Sequence, residues 1–305
     1  MSKIALLFPG QGAQTLGMGS SFYQYPWVQE LYHNAKHILG YDIYELCQND
    51  EDALHQTLYA QNAILTTSLA IFETFKRLTK LPIQAMCGFS LGEYSALAAS
   101  GVFTNEATME LVHHRSRLMH EASLNHPGQM AAVLGMNVAD LNGLCGDIGN
   151  ISVANINSYD QLVVSGTTEA MAKLQELAKQ RGAKRVVVLK VSGAFHSPLM
   201  EEAALQFAPF VARTTPKYPL CDIIMNTTGA TLIFETLKQE MIKQITSPVQ
   251  FVKSVETMVE MGIDTFIEIG PGSVLSGLVR KMNPNLRLYQ INHPADITQI
   301  MEELV

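Results

Sequence analysis

The chain has 305 residues, 47% of them hydrophobic and 16% charged, with a formal net charge of -7. This much apolar material excludes a disordered chain and fits one large α/β domain or a large domain carrying an insertion. The acidic balance excludes a global electrostatic footprint for nucleic acid, and no apolar stretch approaches the about 20 residues that cross a bilayer.

The first apolar run, Ile4–Phe8, reads as a buried strand, which Pro9-Gly10 ends before a secretory h-region is complete; a soluble cytoplasmic protein is expected. Helical patterns follow at Trp27–Leu39 and Gln61–Leu78, the second with Ile64, Leu65, Leu69, Phe72 and Phe75 recurring at spacings of three and four. Apolar Ile83–Phe89 then leads to Ser90, and Glu93–Ala99, rich in alanine and leucine, reads as a helix. Strands alternating with helices in this way predict a mainly parallel sheet packed between helices.

From 127 to 195 the rhythm changes to strand Gln129–Leu134, helix Val138–Gly146, strands Ile151–Ile156 and Gln161–Ser165, helix Thr168–Arg181 and strand Arg185–Val191. That order is βαββαβ, a ferredoxin-like pattern, and it predicts an inserted subdomain. Residues 1–126 and 196–305 are expected to form one α/β domain around it. The second part reads as a helix at Leu199–Val211, a strand at Ile223–Met225, a helix at Phe251–Met261 and a strand at Thr265–Ile269. Gly270-Pro271-Gly272 then breaks the chain before a helix at Ser273–Lys281.

Gly88-Phe89-Ser90-Leu91-Gly92 is a G-x-S-x-G placed where an apolar strand gives way to a helix. Glycines two residues either way leave room for a sharp turn that lifts a serine hydroxyl clear, and the helix N-terminus offers free N–H groups to an oxyanion. Ser90 is therefore the candidate nucleophile, and a serine needs a base, most often histidine. Among nine histidines, His196 stands out in Ser192-Gly193-Ala194-Phe195-His196-Ser197-Pro198, where the chain re-enters the large domain, with His293 as the competing candidate. The turn Pro9-Gly10-Gln11-Gly12 fails as a dinucleotide loop because Thr15 stands where a third glycine belongs. Gln11, flanked by glycines, instead presents a backbone N–H suited to an oxyanion. Cys47, Cys87, Cys145 and Cys221 are too scattered for a zinc site or a redox dithiol.

Pro9-Gly10-Gln11-Gly12, the run Gly88–Ser95, Arg115 with Met119, Gly193–Ser197, Pro248-Val249-Gln250 and Glu268–Gly272 together resemble the discrete malonyl-CoA:acyl-carrier-protein transacylases across essentially the whole chain. The resemblance implies an α/β-hydrolase-like domain interrupted by a ferredoxin-like subdomain. It implies Ser90 as nucleophile, His196 as its base, the backbone carbonyl of Gln250 orienting the imidazole, and the amides of Gln11 and Leu91 as the oxyanion hole. It also implies that Arg115 binds the malonyl carboxylate, that Met119 lies at the substrate, and that Phe195 limits room for α-branched acyl groups. Without the resemblance, Arg115 beside Arg117 reads as a surface arginine. Phe89 departs from the histidine often found at that position.

The implied activity is ping-pong transfer of malonyl from malonyl-CoA to the phosphopantetheine thiol of an acidic acyl carrier protein, in fatty acid synthesis, by a monomer that uses no metal or other cofactor. Lys184, Arg185, Arg280 and Lys281 are candidates for docking the carrier. The competing readings are a serine esterase built from Ser90, Asp264 and His293, a catalytically silent module that binds carrier proteins, and a trans-acting acyltransferase of a polyketide assembly line.

Overall fold

The short, uninterrupted apolar runs of the sequence become strands buried on both faces, as a parallel sheet covered by helices requires. The computed structural model describes residues 2–304. In chain order the strands are β1 (Ile4–Phe8), β2 (Ile83–Gly88), β3 (Gly128–Leu134), β4 (Ile151–Ser158), β5 (Gln161–Thr167), β6 (Arg185–Val188), β7 (Asp222–Ile224), β8 (Thr265–Ile269) and β9 (Arg287–Ile291). One sheet has the order β7-β2-β1-β8-β9 with every neighbouring pair parallel. The other has the order β4-β5-β3-β6 and is antiparallel throughout.

Alternation along β1 divides the large sheet between two apolar layers. Leu6 and Phe8 join the cluster that holds the helices Thr57–Leu78 and Asn105–Asn125, whereas Ala5 and Leu7 pack with Phe251, Val255, Leu275 and Leu278 on the opposite face. Thr57–Leu78 is buried almost all round, not along the single stripe its periodicity suggests, because it lies between the sheet and other helices. The small sheet also has two faces. Ala131 and Val133 pack on the helices Val138–Ile148 and Thr168–Gln180, while Met130 and Ala132 join the large core. Val249 ties the sheets' surroundings together through its backbone: its N–H donates to Ala154 O, and its carbonyl accepts from Ile156 N, each at 2.9 Å.

The expected elements are present with shifted ends. β6 stops at Val188, not Val191: Leu189 N–H still donates to Met130 O at 2.9 Å, but the chain then turns on itself, Val191 N–H donating to Leu189 O at 3.0 Å, and both residues line the cavity described below. Helices at Ile43–Asn49 and Leu237–Lys243, strand β9 and the helix Pro294–Leu304 escaped the sequence reading. β9 is an edge strand with mixed exposure, so Arg287–Ile291 carries no continuous apolar run to announce it. Among the described residues no helix is long and apolar enough to cross a membrane.

The ends of β1, β2 and β8 meet where glycines permit close backbone approach. A Cβ on Gly88 would lie 1.9 Å from Gly92 C, one on Gly92 would lie 2.0 Å from Phe8 O, and one on Gly10 would lie 2.4 Å from Phe89 O. Glu268, at the end of β8, is buried and accepts from the N–H groups of Leu275 (3.1 Å) and Ser276 (2.8 Å), capping the helix Val274–Met282. Gly92→Ala should therefore lower the thermal midpoint by several degrees or prevent soluble expression, since backbone faces backbone at that point. Gly143→Ala, in a helix with open space around it, should be neutral or raise stability by up to about 1 kcal/mol. Equal midpoints for the two variants in thermal melts would contradict this account of the turn.

Candidate active site

β2 ends at Gly88, Ser90 takes φ 51, and the helix Gly92–Ala99 begins at once. A non-glycine residue in the left-handed region costs free energy, so the neighbours must hold it. Ser90 N–H donates to Asn226 Oδ1 at 2.7 Å, and Asn226 Nδ2 donates to Gly88 O at 2.6 Å, clamping the turn from the loop after β7. Because β2 runs parallel to its neighbours, this places the hydroxyl at the carboxyl ends of the strands.

His196 arrives from the other direction, after β6, and is also left-handed at φ 57. Its loop is fixed by Ser165 Oγ donating to Phe195 O (2.5 Å) and Ser197 Oγ donating to Ala194 O (2.6 Å). A Cβ on Gly193 would lie 2.1 Å from Ser123 Oγ, so the loop rests directly on the helix Asn105–Asn125. The imidazole is buried, with Nε2 2.7 Å from Ser90 Oγ and Nδ1 2.9 Å from Gln244 O. A carbonyl can only accept, so Nδ1 carries the proton and Nε2 accepts from the serine hydroxyl.

That carbonyl corrects the expectation for Gln250. The Gln250 carbonyl accepts from Ser254 N (2.9 Å) and Ser254 Oγ (3.0 Å), because Gln250 caps the helix Phe251–Glu260. Gln244 directly follows the helix Leu237–Lys243, where the last carbonyls lack intrahelical donors. Its carbonyl is free to face the imidazole.

Arg115 is a further departure from reading the residues alone. It is 1% exposed, not a surface residue. Nη1 donates to Gln61 Oε1 at 2.5 Å, and Nη2 donates to Gln244 Oε1 at 3.0 Å and to Ser90 Oγ at 3.2 Å. Nε is buried with no acceptor among the described residues. The guanidinium also lies over the Tyr94 ring, 5.2 Å from its centroid.

A cavity of about 200 Å³ opens over these groups, between the two sheets, and Gln11, Leu91, Met119 and Phe195 line it with Ser90 and Arg115. The backbone N–H groups of Gln11 and Leu91 have no acceptor among the described residues. Phe89 lines the same cavity and packs edge-on against Phe251 at 5.6 Å. Met119 Sδ takes a 3.6 Å contact from Gln61 Nε2. From the small sheet come Met130, Asn155, Asn157 and Gln161.

Burial and the Arg115 charge together hold the His196 imidazole down at about 4, with the Gln244 carbonyl opposing them. The resting base is therefore neutral. Burial pulls Arg115 below its ordinary value, while Tyr94 and Glu93 act in the other direction. This arrangement can deprotonate a serine, hold a carboxylate beside it and stabilise an oxyanion.

The esterase triad is not assembled. Asp264 precedes β8, at the amino ends of the parallel strands and so at the opposite edge from Ser90, where it pairs with Arg287 at 3.1 Å. His293 is exposed at the start of the helix Pro294–Leu304, where its backbone N–H donates to Asp296 Oδ2 at 2.8 Å, and the imidazole beside Ser90 is that of His196. The sequence reading missed Gln61, Gln244, Asn226 and Glu93. The position of Glu93 within the serine motif was one signal; Gln61 is one of several polar residues on its helix, beside Asn62, Thr66, Thr67 and Ser68, and nothing local sets it apart.

The Acyl transferase domain family matches residues 5–286. The chain is 39% identical to the malonyl CoA-acyl carrier protein transacylase of Bacillus subtilis (strain 168), over 100% of this chain and 98% of that protein. A crystal structure of the Streptococcus pneumoniae enzyme superposes with a TM-score of 0.94 at 40% identity, covering 99% of this chain and 100% of that one. A malonyl-transacylase solved in complex with its type II polyketide acyl-carrier protein superposes with a TM-score of 0.95 at 32% identity, over 99% and 100% of the two chains.

Because protonation of His196 removes the acceptor for the serine proton, reactivity should fall only as pH drops through the value of the folded protein. Labelling of Ser90 by a phosphonofluoridate should hold its rate through pH 6 and decline with a midpoint near the imidazole's value of about 4. A midpoint at the ordinary 6.5 would show that neither burial nor Arg115 acts on the base.

Proposed function

The chain belongs to the acyl transferase family, among the malonyl CoA-acyl carrier protein transacylases, and from that premise we propose how its own residues carry a malonyl group from malonyl-CoA to acyl carrier protein. The observation that carries the proposal is a buried guanidinium 3.2 Å from a serine hydroxyl that is itself 2.7 Å from a neutral imidazole. A serine esterase has no use for a buried cation beside its nucleophile. A malonyl donor has a carboxylate two bonds from the reacting carbonyl, and a guanidinium matches that group in bidentate geometry.

In the first half-reaction the Ser90 hydroxyl passes its proton to His196 Nε2 as Oγ attacks the thioester carbonyl. The resulting oxyanion meets the N–H groups of Gln11 and Leu91. The intermediate collapses with loss of coenzyme A, whose sulfur takes the proton back from Nε2, and a malonyl ester remains on Ser90. The phosphopantetheine thiol of the carrier then repeats the sequence in reverse, giving up its proton to His196. A carbonyl behind the imidazole suffices, because the acyl group moves between thioesters of similar energy and tautomer control is the main requirement. The route needs no metal or redox cofactor. When the malonyl carboxylate pairs with Arg115 it offsets one of the two causes that depress His196, so the base strengthens as the correct substrate binds.

Met119 and Phe195 bound the acyl end of the cavity, and Phe195 disfavours an α-methyl branch. Asn155, Asn157 and Gln161 offer amide side chains along the wall, and Asn157 Oδ1 is buried without a partner among the described residues. They suit the two amide groups of the pantetheine arm. The carrier docks on exposed lysines and arginines beside the cavity. Arg185 opens the edge strand β6 with Lys184 just before it, and Arg280 and Lys281 lie on the helix Val274–Met282. Lys190, missed in the sequence, stands between the cavity-lining Leu189 and Val191. Lys184 pairs with Asp160 at 3.4 Å, an exposed ion pair that contributes at most about 1 kcal/mol and yields readily to an acidic partner. Action as a monomer, in the cytoplasm, completes the proposal. Fatty acid synthesis is the favoured setting, and a polyketide carrier is the second reading, since a structural relative was solved with one.

Incubation with malonyl-CoA alone should add one malonyl group to the parent protein and none to Ser90→Ala; acylation of the variant elsewhere would overturn the nucleophile. Arg115→Ala should slow malonyl-Ser90 formation by about 10- to 100-fold, as loss of charged hydrogen bonds implies, while acetyl transfer falls far less. Reversing Lys190 and Arg280 to glutamate should raise KM for the carrier severalfold and leave malonyl-Ser90 formation unchanged. An unaltered carrier KM would remove the basic rim from the account.

A further inference from the structure

Glu93 lies in the first turn of the helix Gly92–Ala99, fully buried, and no step of the acyl transfer uses it. Its two carboxyl oxygens take separate donors: Oε2 accepts from Asn226 N–H at 2.6 Å, and Oε1 accepts from Gln244 Nε2 at 2.9 Å. Each donor residue also holds a reacting group. Asn226 Oδ1 accepts from Ser90 N–H, the Gln244 carbonyl accepts from His196 Nδ1, and Gln244 Oε1 accepts from Arg115 Nη2.

The Gln244 side chain can face either way unless its neighbours decide, because an amide has one accepting and one donating end. Arg115 is donor-only and requires the oxygen. The Ser90 carbonyl, 2.9 Å from Nε2, requires one amide hydrogen, and Glu93 takes the other. All three surroundings agree on one orientation. Burial pushes the Glu93 carboxyl upward, while the Asn226 amide, the Arg115 charge and the Gln244 side chain pull it back. Both of its oxygens meet N–H donors, the pattern of a carboxylate that accepts at each end.

We propose that Glu93 is a positioning residue that locks the Gln244 amide with its oxygen toward Arg115, and so holds the guanidinium in place for the substrate carboxylate. The proposal rests on the malonyl-transfer reading above and adds a residue that never touches substrate. A helix-capping role alone would affect stability and would slow every acyl donor alike. The positioning role acts on the carboxylate-bearing donor in particular.

Glu93→Gln keeps the shape and turns one acceptor into a donor. The new NH2 group then opposes either Asn226 N–H or the Gln244 amide, and turning Gln244 to relieve the second clash sets its NH2 group against Arg115. Acylation of Ser90 by malonyl-CoA and by acetyl-CoA, followed by intact mass alongside a thermal melt, reads the effect. The malonyl rate should fall about tenfold or more and the malonyl-to-acetyl ratio at least about fivefold, the scale of one buried hydrogen bond left unmade. A folded variant whose ratio stays within twofold of the parent overturns the proposal. If Glu93→Gln does not fold, Gln244→Met removes the same bridge from its other end and keeps the backbone carbonyl for His196. The same fall in ratio is expected, and an unchanged ratio is equally fatal. A parent protein that malonyl-CoA fails to acylate at Ser90 would instead sink the underlying function, whatever the variants do.

Discussion

A guanidinium removed from water and set against a nucleophilic hydroxyl is the constraint around which the rest of the site is arranged. Taking a cation out of solvent costs several kcal/mol unless its donors are met. Arg115 meets that cost with Gln61, Gln244 and the Tyr94 ring, and its charge is opposed by Glu93 one residue earlier in the chain than Tyr94. One donor, Nε, remains unmet among the described residues. The same charge depresses His196. Under the proposed function, a carboxylate arriving in the cavity would satisfy the guanidinium and relieve the imidazole together, and the cation would both select substrate and set the strength of the base.

Holding that charge next to Ser90 requires parts of the chain that are far apart in sequence. The serine turn comes from β2, the arginine from the helix Asn105–Asn125, the histidine from beyond the small sheet, and Gln244 from the end of a short helix. Two left-handed residues, Ser90 and His196, sit at the meeting point. Each would relax if left alone. The clamp through Asn226 and the bonds from Ser165 and Ser197 supply the restraint, and Gly88, Gly92 and Gly193 allow the backbones to come close enough for those bonds to form.

The parts of this arrangement that were legible in the sequence are those with a strong local pattern. Uninterrupted apolar runs mark β1, β2 and β8, and a serine between two glycines at a strand-to-helix junction marks the nucleophile. His196 was nominated by the break in rhythm after the small sheet, and it lies within hydrogen-bond reach of Ser90. The loss of clarity is also physical. Arg115 looks like a surface residue on a polar helix face, because nothing local reveals that Gln61 and Gln244 will surround it. The resemblance puts the carbonyl behind His196 at Gln250 and it belongs to Gln244, since a backbone oxygen has no sequence signature and nothing in the sequence announces the short helix Leu237–Lys243 that ends beside it. Glu93 is visible in the sequence, but its burial and its two donors are properties of the assembled fold.

The arrangement is tested most directly by a crystal structure of the parent protein after incubation with malonyl-CoA and no carrier, with the malonyl ester held on Ser90. The malonyl carboxylate should lie on Arg115 in bidentate geometry, with N–O distances of about 2.7–2.9 Å, and the ester carbonyl oxygen between the amides of Gln11 and Leu91. A carboxylate turned toward solvent, with Arg115 still bound only to Gln61 and Gln244, would contradict it.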